Sequence, residues 1–205
     1  MLIILTGVFD PHVVGFAWAI GLLWCVAPLL MSWLSRQPAR KVFSPNPEQK
    51  QLLRQTSREI WAFFETFATE KENWLPPDNY QEIPQPTVAH RTSPTNIGLS
   101  LMANLTAWDF GYLPGGEVLR RVSLTLDTMD KMEHYRGHLY NWYDTRTLAP
   151  LSPRYISSVD SGNMAGHLLT LRAGLSAMRH QPVLNRQQIL AGLNDTLDIL
   201  EKQWG

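Results

Sequence analysis

The sequence predicts an all-α protein: an N-terminal transmembrane helix, then antiparallel helical hairpins that form part of an α/α toroid. Three observations predict it. No Asp, Glu, Lys or Arg occurs between Asp10 and Arg36. From Ser44 onward the apolar residues recur at helical spacing, and alternating strand pattern is almost absent. Long and short connections alternate along the chain, which puts the long ones at one end of the bundle.

The apolar run from Val13 to Leu34 is long enough to cross a hydrocarbon core of about 30 Å at roughly 1.5 Å per residue. Trp33 falls at an interfacial position beside Arg36. Pro28 is tolerated in a membrane helix when neighbours satisfy the freed carbonyl. A signal peptide would carry its positive charges ahead of the apolar run, and Met1 to Phe9 has none. Arg36, Arg40 and Lys41 follow the run and Asp10 precedes it, so the positive-inside rule puts the rest of the chain in the cytoplasm. The apolar stretch Met1 to Phe9 reads as the end of an earlier hydrophobic segment, which would make the chain a piece of something longer.

Asn46 caps the next helix, with Pro47 at its first position and Gln49 completing a capping box. Leu53, Ile60, Phe64 and Phe67 form its stripe, and it is expected to run to about Glu72. A helix capped by Ser93 carries Ile97, Leu101, Leu105 and Trp108 and stops near Gly111. The next spans about Gly116 to His134 through Val118, Val122, Leu126 and Met129. Another opens at Asp160 or Ser161 and carries Met164, Leu168, Leu171, Leu175 and Met178. The last is capped by Asn185, with Gln188 in the capping-box place and Ile189, Leu193, Leu197 and Leu200 as its stripe.

Equal numbers of basic and acidic residues, 18 each, exclude a large basic footprint for nucleic acid. One cysteine excludes an intrachain disulfide framework. No glycine-rich phosphate loop is present, and no cofactor is expected. Glu133-His134 with His138 has the spacing of a metal-binding pair, but Gly137 ends the helix between them, so no metal site is expected. Lys50, Arg54 and Arg58 with Glu65 and Glu72 read as a charged helix surface, and Arg120-Arg121 as an exposed pair.

The two long connections, about 20 residues or more each, run from Asn73 to Thr92 and from Tyr135 to Val159. Connections of this length in compact domains are often functional. The first holds four prolines and ends in His90-Arg91-Thr92. The second packs Tyr140, Asn141, Trp142, Tyr143 and Asp144 together and leads to Asp160-Ser161-Gly162-Asn163. A pyranose ring has an apolar C–H face and a rim of hydroxyls. Trp and Tyr offer flat surfaces for the first, and Asp, Asn, Arg and His offer hydrogen bonds for the second. The plainer alternative is that the aromatics pack the loops down and that Asp160 and Ser93 cap helices. Asp144 and Asp160 are the carboxylate candidates on this rim, and Arg91 is expected to pair with Asp144 across the two loops.

The runs LPPDNYQEIPQPTVAHRTSPTNIGLSLMANLTAWDFGYLP, GHLYNWYDTRTLAPLSPRYISSVDSGNMAGHLLTLRAGL and APLLMSWLSR resemble the middle region of bacterial cyclic β-1,2-glucan synthases, from about Pro28 to Leu175. The resemblance implies the junction between the last membrane helices and a glucoamylase-like (α/α)6 barrel. That barrel acts in the family as a retaining transglycosylase closing the ring of a linear β-1,2-glucan. Residues 1–35 are then a membrane segment, 36–46 a cytoplasmic linker and 47–205 an incomplete barrel domain. The location implied is the bacterial inner membrane. The resemblance carries over His90, Arg91, Asn141, Trp142, Tyr143, Asp144, Asp160 and Asn163 as substrate-site residues. The catalytic carboxylates are expected in the missing part of the barrel, the segment is expected to be inactive alone, and the rest of the synthase is the expected adjoining partner. The competing function is a membrane-anchored helical module that binds a protein and does no chemistry.

Overall fold

The computed structural model describes residues 14–35, 44–181 and 185–204, in two compact units, Met1–Pro45 and Asn46–Gly205. In the first unit lies α1, Val14–Leu34, interrupted chemically but not structurally by Pro28. None of its residues is buried, and it is long and apolar enough to cross a membrane. The expectations for 1–13 and for the basic residues of 36–43 lie outside the described residues.

The second unit holds α2 (Pro47–Phe67), α3 (Pro94–Asp109), α4 (Gly115–Lys131), α5 (Ser158–Met178) and α6 (Arg186–Trp204). The class is all-α, as the period predicts. The capping box of α2 forms as read: Gln49 N donates to Asn46 Oδ1 at 2.8 Å and Asn46 N to Gln49 Oε1 at 3.0 Å. The helix ends at Phe67 rather than Glu72, and a 3₁₀ turn covers Glu70–Glu72. Arg121 of α4 sits at this stop. Its guanidinium donates to Phe64 O and Ala68 O, both at 3.1 Å, and to Asn104 Oδ1 at 2.9 Å. A cation on the last carbonyls of a helix is favourable there. Arg121 is buried, not half of an exposed pair, and it lies over the Trp61 and Trp74 rings.

Three other ends depart from the reading. Helix α4 begins at Gly115 and stops at Lys131, before His134. The N-cap of α5 is Ser157, whose Oγ accepts from Asp160 N at 3.1 Å, so Asp160 sits inside the first turn. At α6, Gln188 N donates to Asn185 Oδ1 at 3.3 Å, but the Gln188 side chain donates to Trp108 O and Asp109 O, closing the end of α3 instead of the box. Gly111, at φ +82 and against Gln188, turns the chain between α3 and α4 where a side chain would collide.

Helices α3 and α5 run parallel and pack closely. Their contacts advance together: Thr95 meets Asp160 and Asn163, Gly98 meets His167, and Leu105 meets Gly174. A methyl group at Gly98 would overlap the His167 ring, and one at Gly174 would overlap Leu105. Each helix thus offers one notch and one filling side chain. The core is Leu75, Ile97, Leu101, Val118, Val122, Met132, Leu139, Tyr143, Met164 and Leu171. Helix α6 packs beside α2, joined by Arg54 Nε to Asp195 Oδ1 at 2.7 Å, Arg58 Nε to Thr196 Oγ1 at 3.0 Å and Gln51 Nε2 to Asp198 Oδ2 at 3.4 Å. On this flank Leu52, Leu53, Ile60, Leu190, Leu193, Leu197 and Leu200 remain exposed, while Phe64 and Phe67 are half-buried.

The long connections are not structureless. Among the described residues they contain three two-residue antiparallel ladders, too short to leave an alternating pattern in the sequence. Strands β1 (Tyr80–Gln81) and β2 (Thr87–Val88) form a hairpin, as do β4 (His134–Tyr135) and β5 (His138–Leu139). Arg136 and Gly137, both at positive φ, make the two-residue turn of the second. Strand β3 (Arg91–Thr92) pairs with β6 (Tyr143–Asp144), in the register Arg91 to Asp144 and Thr92 to Tyr143.

Candidate functional site

The β3–β6 ladder joins the two long connections, so they share one rim. The parallel packing of α3 and α5 fixes this, because both helices start where a long connection ends. Thr95 Oγ1 donates to Asp160 Oδ1 at 2.5 Å, and Asn163 Nδ2 donates to Thr95 Oγ1 at 3.1 Å. The second oxygen of Asp160 carries no hydrogen bond among the described residues, and the carboxylate is half-buried.

Arg91 and Asp144 are register partners through their backbones, but their side chains do not pair. Arg91 Nε and Nη2 lie 3.1 and 2.9 Å from Asp78 Oδ2, and Asn96 Nδ2 donates to Asp78 Oδ1 at 3.2 Å. Asp144 is satisfied in its own turn: its Oδ1 accepts from Arg146 N at 2.9 Å and from Thr147 N at 2.8 Å. Burial raises the Asp144 pKa, but the Thr147 and Arg146 amides outweigh it and hold the carboxyl below its usual 3.8. The Arg91 guanidinium instead lies over the Trp142 ring, 5.1 Å from its centroid. One indole face is therefore already covered. Arg91 is 52% exposed, so its ion pair stabilises little and serves mainly to orient the guanidinium.

Tyr143 is wholly buried, and its hydroxyl donates to Glu133 O at 2.6 Å while accepting from Tyr140 N at 2.7 Å. Burial pushes its phenol up to about 12. It is a core residue that ties the loop, not a surface offered to a ring. Asn141 is also buried; its N donates to Tyr155 O at 3.0 Å, and its Oδ1 has no hydrogen-bond partner among the described residues.

The sequence reading missed Glu72. It is buried rather than part of a solvated helix surface. Its Oε1 lies 2.8 Å from His90 Nδ1, and its Oε2 accepts from the Thr145 hydroxyl. Thr145 N donates to His90 O at 3.2 Å, and Asn73 Nδ2 donates to Thr145 O at 2.8 Å. Glu72 thus bridges both long connections. No motif marks it, since its partners are 18 and 73 residues away.

Two depressions open near these residues. One, of about 390 Å³, is polar and lined by Asn79, Gln81, Thr87, Ala89, His90 and Arg91. The other, of about 280 Å³, is lined by residues including Pro94, His134, His138, Ser161, Met164 and Leu168. No group of three or more His, Cys, Asp or Glu residues suited to a metal ion occurs among the described residues.

Helical hairpins with elaborated connections on one rim define a glucoamylase-like α/α architecture. A solved structure shares it: the crystal structure of a candidate glucoamylase from Bacteroides fragilis NCTC 9343 matches with a TM-score of 0.50 and 20% identity, over 65% of this chain and 32% of that one. That likeness carries the fold alone. No protein-family model matches the chain. In sequence the chain is 42% identical over 183 residues, 88% of its length, to the cyclic beta-(1,2)-glucan synthase NdvB of Rhizobium meliloti (strain 1021), of which it spans 6%. The chain is therefore a relative of one segment of a cyclic β-1,2-glucan synthase.

Proposed function

We propose that the chain is part of the ring-closing transglycosylase domain of a membrane-bound cyclic β-1,2-glucan synthase, acting on linear β-1,2-glucan. One observation carries this reading: the match to the synthase covers 88% of the chain and so cannot leave out both connections that build the rim. In the proposal His90, Arg91, Trp142, Asp160 and Asn163 meet the sugar, while Asn141, Tyr143 and Asp144 hold the loop that presents Trp142. Retaining chemistry needs two carboxyl groups about 5–5.5 Å apart. The proposal places that pair in the remainder of the synthase, which supplies the rest of the barrel. Helix α1 is the membrane span and residues 36–46 the linker, in the bacterial inner membrane, with the domain 47–205 in the cytoplasm.

Titrating the full chain in detergent micelles with linear β-1,2-glucan oligosaccharides, by calorimetry, tests the reading. Saturable binding is expected, weakened about ten-fold by Trp142→Ala, in line with the apolar area an indole contributes. No binding, or equal binding of a β-1,4-glucan, overturns it.

The exposed leucines of α2 and α6 favour a second reading, a membrane-anchored module that docks another helical surface and does no chemistry. A chain that ignores glucan but becomes monodisperse only with a helical partner would establish it.

A further inference from the structure

We infer that Glu72 is a positioning residue for the glucan site, fixing the His90 ring so that Nδ1–H points inward and Nε2 faces the polar depression; this rests on the function proposed above. The carboxylate is 9% exposed and the imidazole 32%, so the ring bridges interior and surface. Its Nδ1 lies 2.8 Å from Glu72 Oε1. The two ring nitrogens sit on opposite edges, which turns Nε2 away from the carboxylate. The ring also lines the depression beside Asn79, Gln81, Thr87 and Arg91.

The anchor is held at both ends. The Thr145 hydroxyl occupies the other Glu72 oxygen, and Thr145 N binds the His90 carbonyl. The ring can neither swing nor exchange its inward proton without breaking a buried charge-assisted bond. A carboxylate behind one ring nitrogen decides what the other offers. With Nδ1 protonated, the neutral ring presents Nε2 as an acceptor. The Arg91 guanidinium is a donor with no acceptor capacity. The depression therefore offers a hydroxyl both kinds of partner, which suits a ligand built of hydroxyl groups.

The test uses the full chain in detergent micelles. Long-range nitrogen–proton spectra read the His90 tautomer well above the ordinary imidazole range, with His90→Asn giving the assignment. The unaltered chain should show the Nδ1–H tautomer. Glu72→Met should move it toward Nε2–H, and should weaken binding of linear β-1,2-glucan oligosaccharides by about five-fold, the worth of one ordinary hydrogen bond. Glu72→Gln, which keeps the volume, should give a mixed tautomer population. An Nε2–H tautomer in the unaltered chain overturns the inference, whether or not the variants fold. So does an unchanged affinity in Glu72→Met when Trp142→Ala still weakens binding, an outcome that leaves the proposed function standing. Absence of glucan binding by the unaltered chain overturns that function and, with it, the role given to His90.

Discussion

The loop rim and the α2–α6 flank are built on opposite terms. At the rim most polar groups are matched: buried Glu72 with His90 and Thr145, buried Tyr143 with Glu133 and Tyr140, half-buried Asp144 with its own turn. On the flank one buried carboxylate, Asp195, gathers Arg54 and Tyr112, while a row of leucines faces outward. The rim is ordered by its own polar contacts. The flank has its electrostatics settled and its apolar surface uncovered, the state of a face that meets another apolar surface. Local order and apolar closure are therefore separate achievements in this molecule.

The sharpest way to break the comparison is to remove Arg121, which ties the end of α2 to α3 and α4. Arg121→Met should lose about 3–5 kcal/mol, because it abandons buried hydrogen bonds to Asn104, Phe64 and Ala68. Urea unfolding followed by tryptophan fluorescence measures it, and a loss under about 1 kcal/mol would contradict a shared anchor. On the flank, Asp195→Asn should cost about 2 kcal/mol by weakening the Arg54 and Tyr112 contacts. Burial first, then Asp195, raises the Tyr112 phenol, so the same variant should lower that pKa, and phenolate absorbance on alkaline titration reads the change.

Acid should separate the regions further. The folded Asp144 pKa lies below its usual value. Its contribution is fully present above the unfolded pKa of about 3.9 and disappears as the pH falls through the lower folded value. Asp144→Asn should cost about 1 kcal/mol at neutral pH and remove that part of the acid sensitivity; an acid limb of unchanged steepness would count against the turn as its source. The smallest effect is expected from Leu193→Lys with Leu197→Lys, both leucines being 55% exposed. Stability should shift by no more than about 0.5 kcal/mol per site. Light scattering should show less self-association, and a large loss of stability would mean that this face is already packed.

The helices were legible because their signals are local. Asn46 and Gln49, or Ser93 and Pro94, announce a start within four residues, and the stripe through Ile97 and Leu101 is the observed core. The shared rim was legible too, from the alternation of long and short connections. What escaped depends on partners distant in sequence. Arg121 looks like any helix-surface arginine until Phe64 and Ala68 end beside it. Glu72 looks like the last turn of a helix until His90 and Thr145 close over it. The Arg91–Asp144 pairing was right for the backbone and wrong for the side chains, because Asp144 takes its hydrogen bonds from the Arg146 and Thr147 amides, leaving the guanidinium to Asp78 and Trp142.

The reciprocal contacts of α3 and α5 act as a mechanical index. Gly98 receives His167, and Gly174 receives Leu105, at an interval of seven residues on each helix, or about 10 Å along the axis. Two such detents, facing opposite ways, forbid sliding by a single turn, since a displaced helix would drive a ring or an isobutyl group into backbone. The spacing between the starts of the two helices is thereby gauged by the rods themselves and not by the threads that join them. The outer tips of the connections do not set that width. Residues between Gln81 and Thr87 should accept replacement or extension while Thr95 and Asp160 keep their distance.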